Sequence, residues 1–205
     1  MPLQKYELVR CISCHYRCEL TAQPTVKMMN CVENQYCIWP NDNTYLQIGI
    51  RTLLINTYYT LTHTGLIFVD FSRYKINLFT NSKWIEHLKK TGLRIILVSD
   101  KQMQPLASYW KKNYQQIVSI IGATDSHEEV KRKIRTSFLG RRDMSISRNQ
   151  LTDLEIHVLD LFISEYTVRQ IAAILNITNK KVYATKQSLK NKMGGRGILN
   201  SIISG

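Results

Sequence analysis

The chain has 205 residues, 44% of them hydrophobic, and 28 lysines and arginines outnumber 15 acidic residues, so the formal net charge is +13. This apolar content is ordinary for a globular protein and excludes disorder over most of the chain. The positive surplus favours a polyanionic partner, either nucleic acid or an anionic membrane surface. The sequence has neither an apolar run long enough to span a bilayer nor a secretory signal, so we expect a cytoplasmic protein with no membrane partner.

Five cysteines and one histidine crowd into the N-terminal part of the chain. The odd number of cysteines argues against a full disulfide framework, and the cytoplasm keeps thiols reduced. The C-x-x-C-H pattern is that of haem attachment, which takes place outside the cytoplasm, so this interpretation is disfavoured. Cys11 and Cys14, together with two of the other side chains, have the chemistry of a zinc site. Small unreactive thiols are the simpler interpretation, so we expect no metal and no cofactor. The residues concerned are Cys11, Cys14, His15, Cys18, Cys31 and Cys37.

Hydrophobic periodicity divides the chain into four parts. Residues 1–34 show no period and are expected to form an irregular, cysteine-containing arm. Residues 35–138 alternate short apolar runs with amphipathic segments, which predicts an α/β domain. Residues 139–149 contain glycine, serines and several arginines and are expected to be a linker. Residues 150–205 carry only helical patterns, so the last part is predicted to be all-α.

The apolar runs of the α/β domain are continuous rather than alternating, as in LIFVDF at 66–71. Such runs are typical of parallel strands that are buried on both faces. The regular alternation of strand and helix predicts a small parallel sheet with right-handed crossovers. Strands are predicted at 36–39, 66–71, 94–100 and 117–121, and helices at 45–58, 83–90, 106–112 and 126–138.

The all-α part contains the start signals of three successive helices. Thr152 and Glu155 form a capping box before the first helix. Thr167 is placed as the N-cap of a short second helix, and Thr178 as the N-cap of the third. Asn176 lies in the turn between the second and third helices, so these two helices are predicted to form a helix-turn-helix.

The third predicted helix separates its apolar and basic residues. Val182, Leu189 and Met193 share one face, which is expected to pack against the first two helices. The lysines on the remaining surface are placed to meet phosphate groups, which orient a protein on nucleic acid without reading the sequence. The side of the helix opposite its apolar face carries Lys180, Tyr183, Ala184 and Gln187, and the residues placed to meet phosphate groups are Thr178, Lys180, Lys181, Lys186 and Lys190.

Residues 151–194 resemble the DNA-binding domain of the LuxR/FixJ/NarL class of bacterial transcription regulators. The resemblance extends over the whole domain without a gap and implies a four-helix fold, in which the segment 195–205 is the fourth helix and forms a dimer contact. The matching positions are Leu151, Thr152, Glu155, Val158, Leu159, Leu161, Ile171, Ala172, Leu175, Ile177, Thr178, Val182, Lys192 and Gly194.

The same resemblance implies which residues read the DNA. Side chains at Tyr183, Ala184 and Gln187 would point into the major groove, where glutamine can pair with adenine and alanine can touch a thymine methyl group. Four positions depart from the family and bear on its phosphate contacts and one turn. The family usually has arginine, glycine, threonine and histidine where this chain has Leu154, Glu165, Lys181 and Thr185.

Residues 35–138 resemble an abbreviated receiver domain, the phosphorylated part of many regulators of this class. Asn41 and Asp42 stand where two magnesium-binding acids are usual, Asp70 stands at the phosphoacceptor position, and Ser99 at the hydroxyl position. The lysine that a receiver domain carries at the end of a strand is missing after IVSII. The stretch between the first two strands is too short to contain the helix, strand and second helix that a receiver domain usually has there. Because aspartyl phosphorylation needs a metal ion and that lysine to neutralise the phosphoryl oxygens, the resemblance implies a degenerate receiver.

The expected fold is therefore an α/β N-terminal domain with an abbreviated receiver-like parallel sheet, followed by an all-α four-helix LuxR-type helix-turn-helix domain. Residues 36–194 are also similar to enterobacterial regulators of fimbrial operons such as EcpR (MatA), which implies control of adhesion or virulence genes. We predict a bacterial transcription regulator that binds double-stranded DNA, is not an enzyme and acts without phosphorylation. Its dimer partner would be a second copy or a related LuxR-type regulator.

Two alternatives remain open from the sequence. One is a phosphorylated two-component response regulator that uses Asp70. The other is a metal- or redox-sensing regulator that uses the N-terminal cysteines.

Overall fold

The structure is a computed structural model with four strands, seven α-helices and a 3₁₀ segment in its described part. The described residues are 6–21, 23, 25, 26, 31, 35–55, 65–144 and 149–194. The strands are β1 (Tyr36–Trp39), β2 (Leu66–Phe71), β3 (Arg94–Ser99) and β4 (Ile117–Gly122). The helices are α1 (Thr44–Ile55), α2 (Lys83–Lys89), α3 (Gln104–Asn113), α4 (His127–Phe138), α5 (Asp153–Ile163), α6 (Val168–Ile174) and α7 (Asn179–Met193), and the 3₁₀ segment is Arg73–Leu78.

The four strands form one parallel sheet in the order β1-β2-β3-β4. All six residues of β2 are buried, which confirms that its continuous apolar run lies inside the sheet. Trp84 of α2 and Trp110 of α3 belong to the core on one face, whereas Ile50 of α1 and Phe138 of α4 belong to the core on the other. The predicted α/β architecture is confirmed, and the 3₁₀ segment is the element that periodicity did not predict.

The prediction of right-handed crossovers throughout the sheet is wrong. The chain steps across the sheet in one direction, from β1 to β4, while α1 covers one face and α2 and α3 cover the other. When two crossovers step in the same direction along a sheet but pass over opposite faces, one is right-handed and the other is left-handed. The crossover through α1 therefore has the opposite hand to the crossovers through α2 and α3. A crossover of unusual hand is consistent with a receiver-like fold from which one strand-helix unit is missing.

Residues 6–21 of the N-terminal arm contain only an isolated β-bridge between Arg10 and Glu19, yet they are folded against the sheet. Residues 9–20 form a hairpin-like pair in which the Cys11 N–H donates to the Cys18 carbonyl at 2.8 Å. The Ile12 N–H donates to the Tyr36 carbonyl of β1 at 2.9 Å, so the hairpin is attached to the edge of the sheet. Val9, Cys11 and Leu20 are buried in the core. The sequence shows no period here because a short irregular hairpin buries only a few side chains.

The three helices α5, α6 and α7 pack around a small apolar core. Ile171 of α6 and Val182 and Leu189 of α7 are completely buried, as the predicted inward faces require. The capping box of Thr152 and Glu155 is confirmed at the start of α5. The predicted fourth helix at 195–205 lies outside the described residues.

The C-terminal helices are docked onto the α/β domain through side chains of α5. The Tyr109 hydroxyl of α3 donates to the Asp153 carboxylate at 2.9 Å. On the next turns of α5, the Asp160 carboxylate accepts hydrogen bonds from the Thr80 hydroxyl and, at 3.4 Å, from the Asn81 amide. Thr80 is buried, so its hydroxyl has no access to solvent in this arrangement. These contacts hold the scaffold helix α5 in a defined position on the α/β domain.

The beginning of the linker is also held in place. The Asp143 N–H donates to the Val118 carbonyl at 2.9 Å, along the outer edge of β4. The Asp143 carboxylate lies 3.4 Å from the buried Lys111 ammonium. Burial lowers the pKa of Lys111, an effect that the charge of Asp143 opposes. The linker therefore leaves the α/β domain from a fixed point.

We predict that Asp160→Ala weakens the docking of the two domains. The buried Thr80 hydroxyl would lose its acceptor, which costs about 1–3 kcal/mol and raises the undocked population about fivefold or more. Trypsin should then cut the arginine-rich linker 139–149 faster than in the unaltered chain. His157→Ala, an exposed change on the same helix, is the control and should leave the cleavage rate unchanged. Equal cleavage of all three proteins would contradict the docking contact.

Candidate functional site

The start of α7 carries an unusual charge distribution. Its N-cap Thr178 accepts a hydrogen bond from the Lys181 N–H, and the first turn contains Lys180 and Lys181 but no acid. The N-terminus of a helix is its positive end, so cations there oppose folding. By contrast, α4 begins with Glu128 and Glu129 and α5 with Asp153 and Glu155, whereas α1, α3 and α6 have no acid in their first turn. Lysines at this position are unfavourable for the helix alone and favourable for binding an anion.

One side of α7 is open to solvent along its whole length. Lys180, Tyr183, Ala184 and Gln187 are exposed on this side, and 59% of the Tyr183 surface is accessible. These positions follow helical spacing and therefore share one face. We call this surface the recognition face and define it by Thr178, Lys180, Lys181, Tyr183, Ala184 and Gln187. The docked α/β domain leaves the recognition face uncovered.

The remaining predicted lysines occupy a different environment. Lys186 and Lys190 are half-buried beside the recognition face. The Lys186 ammonium lies 5.2 Å from the centre of the Phe162 ring, a cation–π distance. Burial lowers the pKa of Lys186, and the neighbouring charge of Lys190 lowers it further. The structure therefore places these two lysines at the border of the recognition face, not on its exposed centre.

The buried side of α7 is joined to α5 by a polar cluster that sequence reasoning missed. The buried Glu155 carboxylate accepts hydrogen bonds from the Ser188 hydroxyl at 2.6 Å and from the Lys192 ammonium at 2.8 Å. It also accepts the Thr152 N–H at 2.7 Å. Burial raises the pKa of Glu155, but the hydrogen bonds from Lys192, Ser188 and Thr152 outweigh it and hold the pKa below its ordinary value. One carboxylate thus caps α5 and fixes α7 against it.

The turns between the helices explain how the fold tolerates two departures from the family pattern. Glu165 has a φ of 64°, the left-handed conformation for which glycine is usual. Asn176 has a φ of 52° and forms the predicted turn before α7. Thr185, where the family usually has histidine, is buried, and its hydroxyl donates to the Lys181 carbonyl at 2.9 Å. Neither departure disturbs the helix-turn-helix.

The three receiver-like residues lie near the ends of β1, β2 and β3, at one edge of the sheet. Asp70 and Ser99 are buried at the ends of adjacent strands, and Asp42 lies at the surface. The Ser99 hydroxyl donates to the Asp100 carbonyl at 3.0 Å. The Asp70 carboxylate accepts the Asn43 amide at 3.0 Å, while Asn43 itself caps α1 by accepting the Leu46 N–H.

A lysine does reach Asp70, but it comes from an unexpected place. The sequence pointed to a missing lysine after β4, and there Lys133 pairs with Asp125 at 2.6 Å instead. The Lys75 ammonium of the 3₁₀ segment lies 2.9 Å from Asp70 and also contacts Asp42. A 3₁₀ segment has no apolar period, so hydrophobic patterning could not predict this arrangement.

The N-terminal thiols are not assembled into a metal centre within the described residues. Cys11 and Cys37 are buried, and burial and the neighbouring Cys11 raise the pKa of Cys37 well above its ordinary value. A raised pKa keeps a thiol protonated and unreactive. In the same described ranges no group of three or more His, Cys, Asp and Glu side chains is positioned to hold a metal ion. Nor does that part of the chain contain a helix long and apolar enough to cross a membrane.

Comparison with known families agrees with this geometry. Residues 10–138 match the family described as EcpR N-terminal domain, and residues 149–203 match bacterial regulatory proteins, luxR family. The first match alone covers more than half of the chain. The chain belongs to the family of regulators that join an EcpR N-terminal domain to a LuxR-type DNA-binding domain. This family consists of DNA-binding transcription regulators.

Individual relatives extend over most of the chain. The uncharacterized protein YqeH of Escherichia coli K12 is 32% identical over 192 residues, which are 94% of this chain and 91% of YqeH. The Vi polysaccharide biosynthesis protein TviA of Salmonella typhi is 19% identical, over 77% of this chain and 89% of TviA. A structure of RcsB from Salmonella enterica serovar Typhimurium bound to promoter rprA matches with a TM-score of 0.43 and 20% identity, over 80% of this chain and 96% of RcsB.

We predict that Glu155→Gln destabilises the DNA-binding helices while keeping the capping box. Glutamine serves in the second capping box of this chain, Thr167 with Gln170, so the helix start is preserved. Loss of the charged hydrogen bonds to Ser188 and Lys192 should lower the free energy of unfolding by about 1.5–3 kcal/mol, measured in urea at neutral pH.

The pH dependence gives a second test of this cluster. Because the folded-state pKa of Glu155 is below its ordinary value, its contribution is present above pH 4.5 and is lost as the pH falls through the folded-state pKa. The difference in stability between the unaltered and Glu155→Gln proteins should therefore shrink on acidification. In a double-mutant cycle with Lys192→Met, additive effects would contradict the ion pair.

Proposed function

We propose that this protein is a sequence-specific DNA-binding transcription regulator that acts without phosphorylation and binds its sites as a dimer. The recognition face reads the major groove, and the lysines beside it bind the phosphate backbone. Cytoplasmic action follows from the DNA partner.

The observation that supports this proposal best is the exposed recognition face on a docked domain. Lys180 and Lys181 stand at the positive end of α7, where they destabilise the helix but favour a phosphate group. Tyr183, Ala184 and Gln187 are exposed on the following turns. Since the α/β domain contacts α5 and not this face, DNA can reach α7 without prior release of the domain.

The receiver-like pocket supports independence from phosphorylation. An aspartyl phosphate is stabilised by a metal ion and by a lysine that contacts the phosphoryl oxygens. Here the buried Asp70 carboxylate is already bound by the Lys75 ammonium and the Asn43 amide. Both contacts are made to the same oxygen, Oδ2, so a phosphoryl group on that oxygen would have to displace both.

Dimerisation and the identity of the target genes extend the proposal. We assign the dimer contact to the segment 195–205, which has Ile198, Leu199, Ile202 and Ile203. The partner is a second copy or a related LuxR-type regulator.

The EcpR-type domain and the relative named for Vi polysaccharide biosynthesis support targets that encode surface structures, including fimbriae and other virulence factors. Genome-wide mapping of bound DNA tests the targets, and sedimentation on DNA tests the stoichiometry.

We predict that Gln187→Ala and Lys181→Ala weaken DNA binding in different ways. Gln187→Ala should lose about 1–3 kcal/mol at one base position of the bound site and relax the preference there. Lys181→Ala should weaken selected and random duplexes alike and reduce the slope of log affinity against log salt by about 1. The measurement is a titration of labelled duplexes, chosen by selection from a random library, over a range of salt concentrations.

Arg132→Ala, on the exposed surface of α4, removes one cation remote from α7 and serves as the control. It should change neither specificity nor the salt slope by as much as Lys181→Ala. The proposal fails if the unaltered protein does not discriminate between selected and random duplexes at moderate salt, or if Gln187→Ala leaves every base preference intact.

We predict no phosphorylation of Asp70 by a small-molecule phosphodonor. Incubation with acetyl phosphate and Mg²⁺ should leave the mass of the intact protein and its DNA affinity unchanged. A receiver domain of the phosphorylated class, treated in parallel, verifies the donor. An adduct that disappears in Asp70→Asn would favour the alternative of a two-component response regulator.

A further inference from the structure

The acidic pocket at the end of β2 is the place where a receiver domain would hold a divalent cation. It consists here of Asp42 after β1, Asp70 at the end of β2, and Asn43 between them in space. Two carboxylates with an amide are hard oxygen ligands of the type that Mg²⁺ uses. The composition of the pocket alone would therefore suit a metal ion.

The geometry of the pocket does not suit one. The Lys75 ammonium is 2.9 Å from Asp70 and also within hydrogen-bonding distance of Asp42, so one cation already joins the two carboxylates. A Mg²⁺ ion bound to both at its usual distance of about 2.1 Å would have to take the same space as the ammonium. Only 15% of the Lys75 side chain and 7% of the Asp70 side chain are exposed, so the pair is shielded from competing ions.

The electrostatics agree with a resident ammonium. Partial burial disfavours the charged lysine, yet the hydrogen bonds that the ammonium donates to Asp42 and Asp70, together with the charges of these carboxylates, outweigh this effect and raise the pKa of Lys75. The Lys75 ammonium is therefore charged at neutral pH.

We infer that Lys75 is a tethered cation that takes the place of the divalent metal ion, so that the pocket is a fixed joint and not a metal-dependent switch. This inference rests on the proposed independence from phosphorylation and supplies its cause. Because this cation is attached to the chain, it cannot diffuse away from the two carboxylates. Its effective concentration there exceeds that of free Mg²⁺, which it therefore excludes.

The joint also bears on the docking of the two domains. Lys75 lies in the 3₁₀ segment, whose first residue Arg73 donates its N–H to Asp100 at 2.8 Å. Immediately after the segment, the Phe79 carbonyl accepts the Trp110 indole N–H at 2.8 Å, and Thr80 follows with its hydrogen bond to the DNA-binding helices. The 3₁₀ segment that carries the tethered cation thus leads directly into the residue that holds α5.

Removal of the tethered cation should create a cation requirement. Lys75→Met leaves two carboxylates facing each other, and we expect its melting temperature to fall by about 5 °C. Addition of about 10 mM Mg²⁺ or Mn²⁺, at constant ionic strength, should restore a large part of this loss and should slow tryptic cleavage of the linker. The unaltered protein should show no response to either ion.

Three further variants make the test specific. Lys131→Met removes a lysine from an exposed pair with Glu128 and should neither lose stability nor respond to divalent cations. Lys75→Met with Asp70→Asn should lose the response, since one ligand is gone. Lys75→Arg keeps a cation in the pocket and should remain indifferent to Mg²⁺.

Two results would overturn the inference. One is a Lys75→Met protein whose stability ignores divalent cations, because Lys75 would then be an ordinary ion-pair partner. The other is binding of Mn²⁺ by the unaltered protein that disappears in Asp70→Asn, detected by water proton relaxation. This second measurement needs only the unaltered fold and decides the question if Lys75→Met does not fold. If either result is obtained and acetyl phosphate does not label the protein, the inference about Lys75 fails but the proposed function stands.

Discussion

The orientation of the recognition face depends on one buried carboxylate. Glu155 caps α5 through the Thr152 N–H and receives Ser188 and Lys192 from α7, so it fixes both the start of the scaffold helix and the position of the recognition helix. A buried charge of this kind is tolerated only when its hydrogen bonds are satisfied. Because both α5 and α7 contact the α/β domain, the same carboxylate also relates the recognition face to the rest of the molecule.

The α/β domain contributes a platform rather than a catalytic centre. Its sheet is buried on both faces, which makes β2 and β3 rigid, and their ends present Asp70 and Asp100 on neighbouring strands. Asp100 holds the start of the 3₁₀ segment, and Lys75 within the segment holds Asp70. Polar groups at the carboxyl edge of a parallel sheet commonly bind ligands. In this chain they bind one another and thereby position the loop that contacts α5.

Local features of the fold were predictable from the sequence, and contacts between distant segments were not. The continuous runs at β2 and β4 and the N-caps Thr152 and Thr178 depend on neighbouring residues, and each lies where it was expected. Lys75 meets Asp42 across 33 positions, and Thr80 meets Asp160 across 80. No periodicity encodes such pairs, since each partner alone looks like an ordinary surface residue.

The same limit applies within the candidate site. The exposed positions of α7 followed from helical spacing, whereas the placement of Lys186 over Phe162 did not, because the ring belongs to another helix. Burial of the described N-terminal hairpin was missed for a related reason. Val9 and Leu20 are buried by their contact with the domain core and not by a regular period of their own.

A regulator that switches must have two states, and a signal must be able to change which of them has the lower free energy. A ligand shifts such an equilibrium only by its difference in affinity for the two states. Under our proposal that Lys75 supplies the cation, the receiver-like pocket would have no exchangeable ligand to provide this difference. The docked arrangement already exposes the recognition face, so the occupancy of DNA sites would follow the concentration of the protein and of its dimer partner. On this reasoning, regulation enters through synthesis, degradation or dimerisation, and the receiver-like domain persists because it holds the DNA-binding helices in place.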